Sequence, residues 1–113
     1  MRRALVAAAV MGILLVATPA SGHQAPAGWE YDRDCCHNFD CAPVPDGAIR
    51  EVQGGYQVSL RAGQHPMLQG ENVARVFIPH GDRRIRVSGD SDRHACVSAS
   101  GTVFCIYIPP GGV

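Results

Sequence analysis

Five cysteines, split between two distant parts of the chain, constrain this 113-residue sequence more than any other feature. Cys35, Cys36 and Cys41 share one short stretch, and Cys96 and Cys105 lie near the other end. Their meaning depends on compartment, because thiols pair and stay paired only where the surroundings are oxidising. The first residues address that. Arg2 and Arg3 precede an apolar run from Ala4 to Ala17, followed by Thr18, Pro19, Ala20, Ser21 and Gly22, the pattern of a secretory signal peptide. A run of 14 residues falls short of the ~20 that a membrane-spanning helix needs, and no cysteine follows it closely enough for lipid attachment. The expected division is a signal peptide over 1–22 and one small domain over 23–113, periplasmic or secreted, with no membrane span after cleavage.

Cleavage after Gly22 leaves 91 residues with eight Arg against ten acidic side chains, a formal charge of −2. A domain of that size buries only about 60–65% of its unfolded surface, so its core needs reinforcement, for which disulfides are the usual device in secreted proteins. All ten basic residues are Arg and they are dispersed, which argues against a nucleic-acid or membrane-surface patch.

From His23 to Gly47 no helical or strand period survives; prolines and glycines surround the cysteine cluster, and Trp29, Tyr31 and Phe39 are the expected packing anchors. Beyond Ala48 the period becomes two. Residues 49–53 and 56–60 flank Gly54-Gly55, which as a two-residue turn pairs Glu51 with Val58 and Ile49 with Leu60. That puts Ile49, Tyr56, Val58 and Leu60 on one face and Arg50, Gln57, Ser59 and Arg61 on the other. A loop over Ala62–Asn72, a strand over Ala74–Ile78 and an edge strand over Arg84–Val87 follow. In the last hairpin, a turn at Ser100-Gly101 sets Val97 against Phe104 and Cys96 against Cys105, with Ala95, Val97, Phe104, Ile106 and Ile108 forming an apolar face. Residues 109–113 form a tail. The fold class is mostly β: a small antiparallel sheet of about four to six short strands, with an irregular, disulfide-linked segment over 23–47.

Opposed on neighbouring strands, Cys96 and Cys105 are the preferred disulfide, a bridge worth about 2.5–3 kcal/mol for so short a loop. Cys41 then pairs with Cys35 or Cys36 and one thiol is left over, which could link two chains. Alternatively, one of Cys35 and Cys36 reaches the terminal hairpin and staples the irregular segment to the sheet. A metal site is the competing use of these residues. Cys35, Cys36, His37, Cys41 and His94 offer soft and imidazole donors for Zn or Cu. His23 offers another, because cleavage after Gly22 or after Ala20 sets it at or near a free amine. No cofactor is otherwise expected. No nucleophile motif or phosphate loop occurs, and Asp32/Asp34 and Asp90/Asp92 read as solvated turn caps, so the expectation is a non-enzymatic binding or structural protein of the cell envelope. The exposed Arg84/Arg86 edge and the Leu60–Ala74 loop are the candidate surfaces for an envelope partner or ligand.

Trp29, Cys35-Cys36, Cys41, His65-Pro66, His94-Ala95-Cys96, Cys105 and Pro109-Pro110 together resemble the pattern of an uncharacterised group of small secreted alphaproteobacterial proteins. The resemblance implies export and a shared cysteine framework, and it carries no activity.

Overall fold

The computed structural model describes residues 12, 23–37 and 40–112. The expected signal peptide over 1–22, apart from Gly12, its expected cleavage site and the expected anchor Phe39 lie outside the described residues. Seven strands form in chain order: β1 (Cys41–Pro43), β2 (Ile49–Val52), β3 (Gly55–Leu60), β4 (Ala74–Pro79), β5 (Ile85–Val87), β6 (His94–Val97) and β7 (Val103–Ile108). Short 3₁₀ turns cover Asp46–Ala48 and Pro110–Gly112. The strands make two sheets, one ordered β1-β6-β7-β5 and the other β2-β3-β4. All neighbours are antiparallel except β5 and β7, which run parallel. Among the described residues no helix is long and apolar enough to cross a membrane.

The two sheets face each other across one apolar core. Ile49, Val58, Leu60 and Ile78 meet Ala95, Val97, Ile106 and Ile108 there. Alternation explains the three-stranded sheet, whose far face keeps Arg50 and Phe77 in solvent. It fails in β6, where His94, Ala95, Cys96 and Val97 are all buried. Such a strand must be covered on both sides, and residues 23–37 supply the second cover. Cys35, Cys36, Cys41, Cys96, Cys105, Tyr31 and Tyr107 form a separate core beneath them.

The hairpin registers differ from expectation in instructive ways. In the first, Ile49 pairs with Val58 and Val52 with Gly55, so the turn is Gln53-Gly54, with Gly54 at φ 85°. The slip is by two residues, which preserves the parity of side chains and hence the expected faces. In the last hairpin the pairs His94–Tyr107, Ala95–Ile106 and Cys96–Cys105 stand as expected, but a bulge then sets Val97 against Val103. The turn is Ser98–Gly101, closed by Gly101 N–H donating to the Ser98 carbonyl at 3.0 Å. Gly101 has φ 94°, and a Cβ there would fall 2.0 Å from the Val73 carbonyl oxygen, so only glycine fits. The extra residue rotates Phe104 off the inter-sheet core and onto the cysteine side, and Val103 takes its place.

The preferred disulfide pairing is corrected. Cys96 and Cys105 do oppose each other, yet Cys96 is bridged to Cys41 and Cys105 to Cys35. Cys96 lies between two neighbours, and Cys41 is its register partner on β1, a strand that its single proline and three-residue length concealed. Cys41 therefore pairs with neither Cys35 nor Cys36. The stapling alternative holds for Cys35, which reaches Cys105, whereas the Cys41–Cys96 bridge belongs to neither expected scheme; both bridges run from the N-terminal segment to the final hairpin. Cys36 belongs to neither bridge and is 1% exposed, which puts it out of reach of another chain's sulfur in this fold. Peptide mapping without reductant is expected to give 35–105 and 41–96 crosslinks. Cys36 should resist maleimide in the native protein and take up one equivalent in mildly acidic guanidinium, where thiolate exchange is slow. A 96–105 crosslink would refute this framework.

Candidate functional site

His94 and Tyr107 are register partners on the covered side of β6 and β7, two residues from Cys96 and Cys105 and so on the same face. The segment above them folds back on itself. Gln24 bridges Glu30, the Ala25 amide donates to the Trp29 carbonyl at 2.8 Å, and the Tyr31 amide donates to the His23 carbonyl at 2.6 Å. Trp29 is thereby set edge-on to Tyr31 and His94, with ring centroids 4.8 and 4.9 Å away, and tilted against Tyr107 at 5.3 Å. Gly89 lets Trp29 approach, because a Cβ there would meet the indole at 2.5 Å.

Asp90 organises this cluster. Its carboxylate accepts Trp29 Nε1–H at 2.8 Å, His94 Nε2–H at 2.8 Å and the Asp92 amide at 2.8 Å, while the Ser88 hydroxyl, 3.1 Å from it, lies closer to the Asp92 carbonyl at 2.8 Å. With Nε2 donating, Nδ1 of His94 is the acceptor for the Tyr31 hydroxyl at 2.7 Å. Burial alone would raise the Asp90 carboxyl, but the hydrogen bonds from His94, Trp29 and the Asp92 amide outweigh it and hold the group well below the usual carboxylate range. Tyr107 donates to Asp32 at 2.8 Å and accepts the Asp32 amide. Burial, reinforced at Tyr31 by the Asp90 charge, pushes both tyrosine hydroxyls far above their ordinary range. Asp90 is thus a structural acceptor rather than a solvated cap, and Asp32, though 49% exposed, also accepts the Tyr107 hydroxyl. A carboxylate, an imidazole and a hydroxyl in series have the order of a proton relay; His94 is fully buried and Tyr31 is 3% exposed, so the series meets solvent only at the partly exposed Asp90 carboxylate.

The six expected metal donors do not converge. Cys35 and Cys41 are disulfide sulfurs, and both ring nitrogens of His94 are in use. Cys36 and Cys41 do approach, together with Asp40, their donor atoms lying within 4.8 Å of one another, but Cys41 has no thiolate to offer while bridged. Asp40 was not legible as part of this group. Its carboxylate takes the His37 amide at 2.7 Å, His37 Nδ1 at 3.2 Å and the Cys36 thiol, and these bonds overcome burial to lower its pKa. His23 lies apart, lining a cavity of about 390 Å³ with Glu30, Tyr31 and Arg33.

On the surface, a groove of about 850 Å³ runs beside β5 and is lined by Asp34, Asp82, Arg83, Arg84, Arg86 and Phe104. The expected Arg84/Arg86 edge is less open than its alternation suggests. Arg84 holds both oxygens of Asp82, at 3.0 and 2.9 Å, which brings that carboxyl down to about 2, and Arg86 spans Asp34 and Asp32 at 3.1 and 3.2 Å. Arg83 is exposed, and Val87 on the edge strand is 71% exposed. The Leu60–Ala74 loop is docked rather than free: Leu68 is buried, and His65 donates Nε2–H to the Ala95 carbonyl at 2.9 Å and accepts the Met67 amide. Comparison of the chain with models of known families, with curated proteins and with solved structures gave no match.

Two outcomes follow from this chemistry. Asp90→Ala removes the acceptor of two part-buried donors, Trp29 Nε1–H and His94 Nε2–H, and is expected to lower unfolding free energy by about 2–4 kcal/mol in urea titrations followed by Trp29 fluorescence. His65 is held below its ordinary value of 6.5, chiefly by burial. The folded protein therefore resists a proton that the unfolded chain accepts, so stability is full above that value and falls as pH drops through it toward the lower folded pKa. The slope approaches at most about 1.4 kcal/mol per pH unit for one proton, and His65→Gln should flatten it in denaturation series run across that window.

Proposed function

We propose that the chain is an exported, disulfide-stabilised, non-enzymatic binding protein of the cell envelope, whose ligand surface is the groove beside β5. The observation that carries this reading is the contrast between the interior and that groove. The imidazole and hydroxyl that could do chemistry are buried and bonded to each other and to Asp90, whereas the groove offers an exposed guanidinium, Arg83, beside the partly buried ring of Phe104. Arg84 and Arg86, oriented by their carboxylates, line the same groove and keep its rim cationic in part. An anionic segment with an apolar or aromatic neighbour suits that surface, carboxylate or phosphate meeting the Arg fork and the ring covering the apolar part. Two disulfides that tie the ends of the domain together support an oxidising compartment, in line with the leader-like first residues and with the resemblance to small secreted proteins.

A second reading, a periplasmic copper or zinc protein, has one observation in its favour, a buried imidazole nitrogen of His23 without a hydrogen-bond partner. The cysteine-based form of that reading would require reduction of the 41–96 bridge.

The groove is tested in the periplasm of a producing cell with a photo-crosslinking side chain at position 104 and, as control, at Gln57 on the far sheet. Adducts are expected from position 104 alone and should disappear with Arg83→Glu at unchanged Tm, the partner being identified by mass spectrometry. Equal adducts from both positions would remove the groove as the ligand surface.

A further inference from the structure

The five histidines can be sorted by what their ring nitrogens already do. His65 and His94 use both, His37 Nδ1 is bonded to Asp40, and His80 Nε2 faces Glu51 at 3.7 Å. His23 differs. Its Nδ1 is the one buried side-chain nitrogen or oxygen among the described residues that has no hydrogen-bond partner. Leaving such a group unsatisfied costs about 1–3 kcal/mol, which asks for a reason.

Nor does His23 belong to a loose end. Its carbonyl takes the Tyr31 amide at 2.6 Å, and the next residue, Gln24, is bridged to Glu30. Tyr31 is in turn fixed by His94. A terminal residue is ordered only when tied down in this way.

We propose that His23 is the first residue of the mature protein and that its α-amine and Nδ1 together bind one Cu(II) ion, with the Glu30 carboxylate completing the site. The proposal rests on the export reading, because cleavage after Gly22 is what turns the His23 amide nitrogen into a primary amine. Ala20 and Gly22 supply the small residues that a signal peptidase requires there. The amine nitrogen, Cα, Cβ, Cγ, Nδ1 and the metal close a single chelate ring. Nε2, on the far side of the imidazole, cannot close it, so the orphaned nitrogen is the one the chelate needs. Nitrogen and oxygen donors in a planar or tetragonal set favour Cu(II) over Zn(II). Glu30 lines the same cavity and offsets the charge of Arg33 there. No thiol takes part, so both disulfides stay closed and no electron is transferred. Binding only displaces the amine proton.

The absence of lysine makes the test specific, since the α-amine is then the one amine that an acetylating reagent can modify, and hydroxylamine afterwards removes any acetyl group from tyrosine or histidine. Protein exported to the periplasm is purified without reductant, its intact mass identifies the first residue, and copper affinity is measured by competition with glycine alongside EPR. The expected result is a chain beginning at His23 that binds one Cu(II) with two inequivalent nitrogen couplings, more tightly than Zn(II). Acetylation should weaken binding by about 100-fold or more, the loss of one arm of a chelate, and His23→Gln should do the same. Glu30→Gln should weaken it less. A first residue other than His23 overturns the cleavage step and the copper site with it. A chain that begins at His23 but binds copper equally well after acetylation overturns the copper site alone and leaves export standing.

Discussion

The structure depends on covering the second face of the β6–β7 hairpin. One face is satisfied by ordinary packing between two sheets, as alternation dictates. The other carries His94, Cys96, Cys105 and Tyr107, and its cover is a stretch of chain with almost no regular backbone hydrogen bonding. Such a segment cannot hold itself in place, because fixing each residue costs about 1–2 kcal/mol of backbone entropy that no ladder repays. Two disulfides lower that cost by restricting the unfolded chain, in loops with sequence separations of 70 and 55. The loops are nested, so the first contributes on the order of 4 kcal/mol and the second, closing the smaller remaining loop, about 3.

Covalent ties alone would leave the cover free to pivot. The Asp90 carboxylate removes that freedom, gathering Trp29 from the segment and His94 from the sheet, while Tyr107 reaches back to Asp32 and Arg86 of β5 reaches Asp34 and Asp32. The polar groups are paired across the same boundary that the sulfurs cross. Buried networks of this kind raise specificity only when every member is satisfied, and this one is closed at each named atom.

Much of this architecture was legible in the chain. Faces survived even where register did not, because a two-residue slip at Gln53-Gly54 leaves parity intact, and β4 and the β5 edge lie where their flanking Pro79 and turn residues place them. The pairing of sulfurs was not legible. Opposition in a hairpin identifies a possible partner, but a central strand has two neighbours, and β1 is three residues long and ends in proline, below what periodicity can detect. Asp40 and Asp90 were hidden for a related reason. An acidic residue in a turn is usually solvated, and only the tertiary arrival of Trp29, His94, His37 and Cys36 turns those carboxylates into structural acceptors.

That internal use of chemistry bears on function. Of the groups a sequence reader would nominate for catalysis or ligation, His94 and Tyr31 close on Asp90, and Cys35, Cys41, Cys96 and Cys105 close on one another. His94, Tyr31 and these cysteines are all buried. What remains outward is an exposed Arg83 beside a half-buried Phe104, and the cavity that His23 lines with Glu30. Both sit on segments held in place by the covered face of the sheet, and the rigidity of that cover gives them fixed geometry.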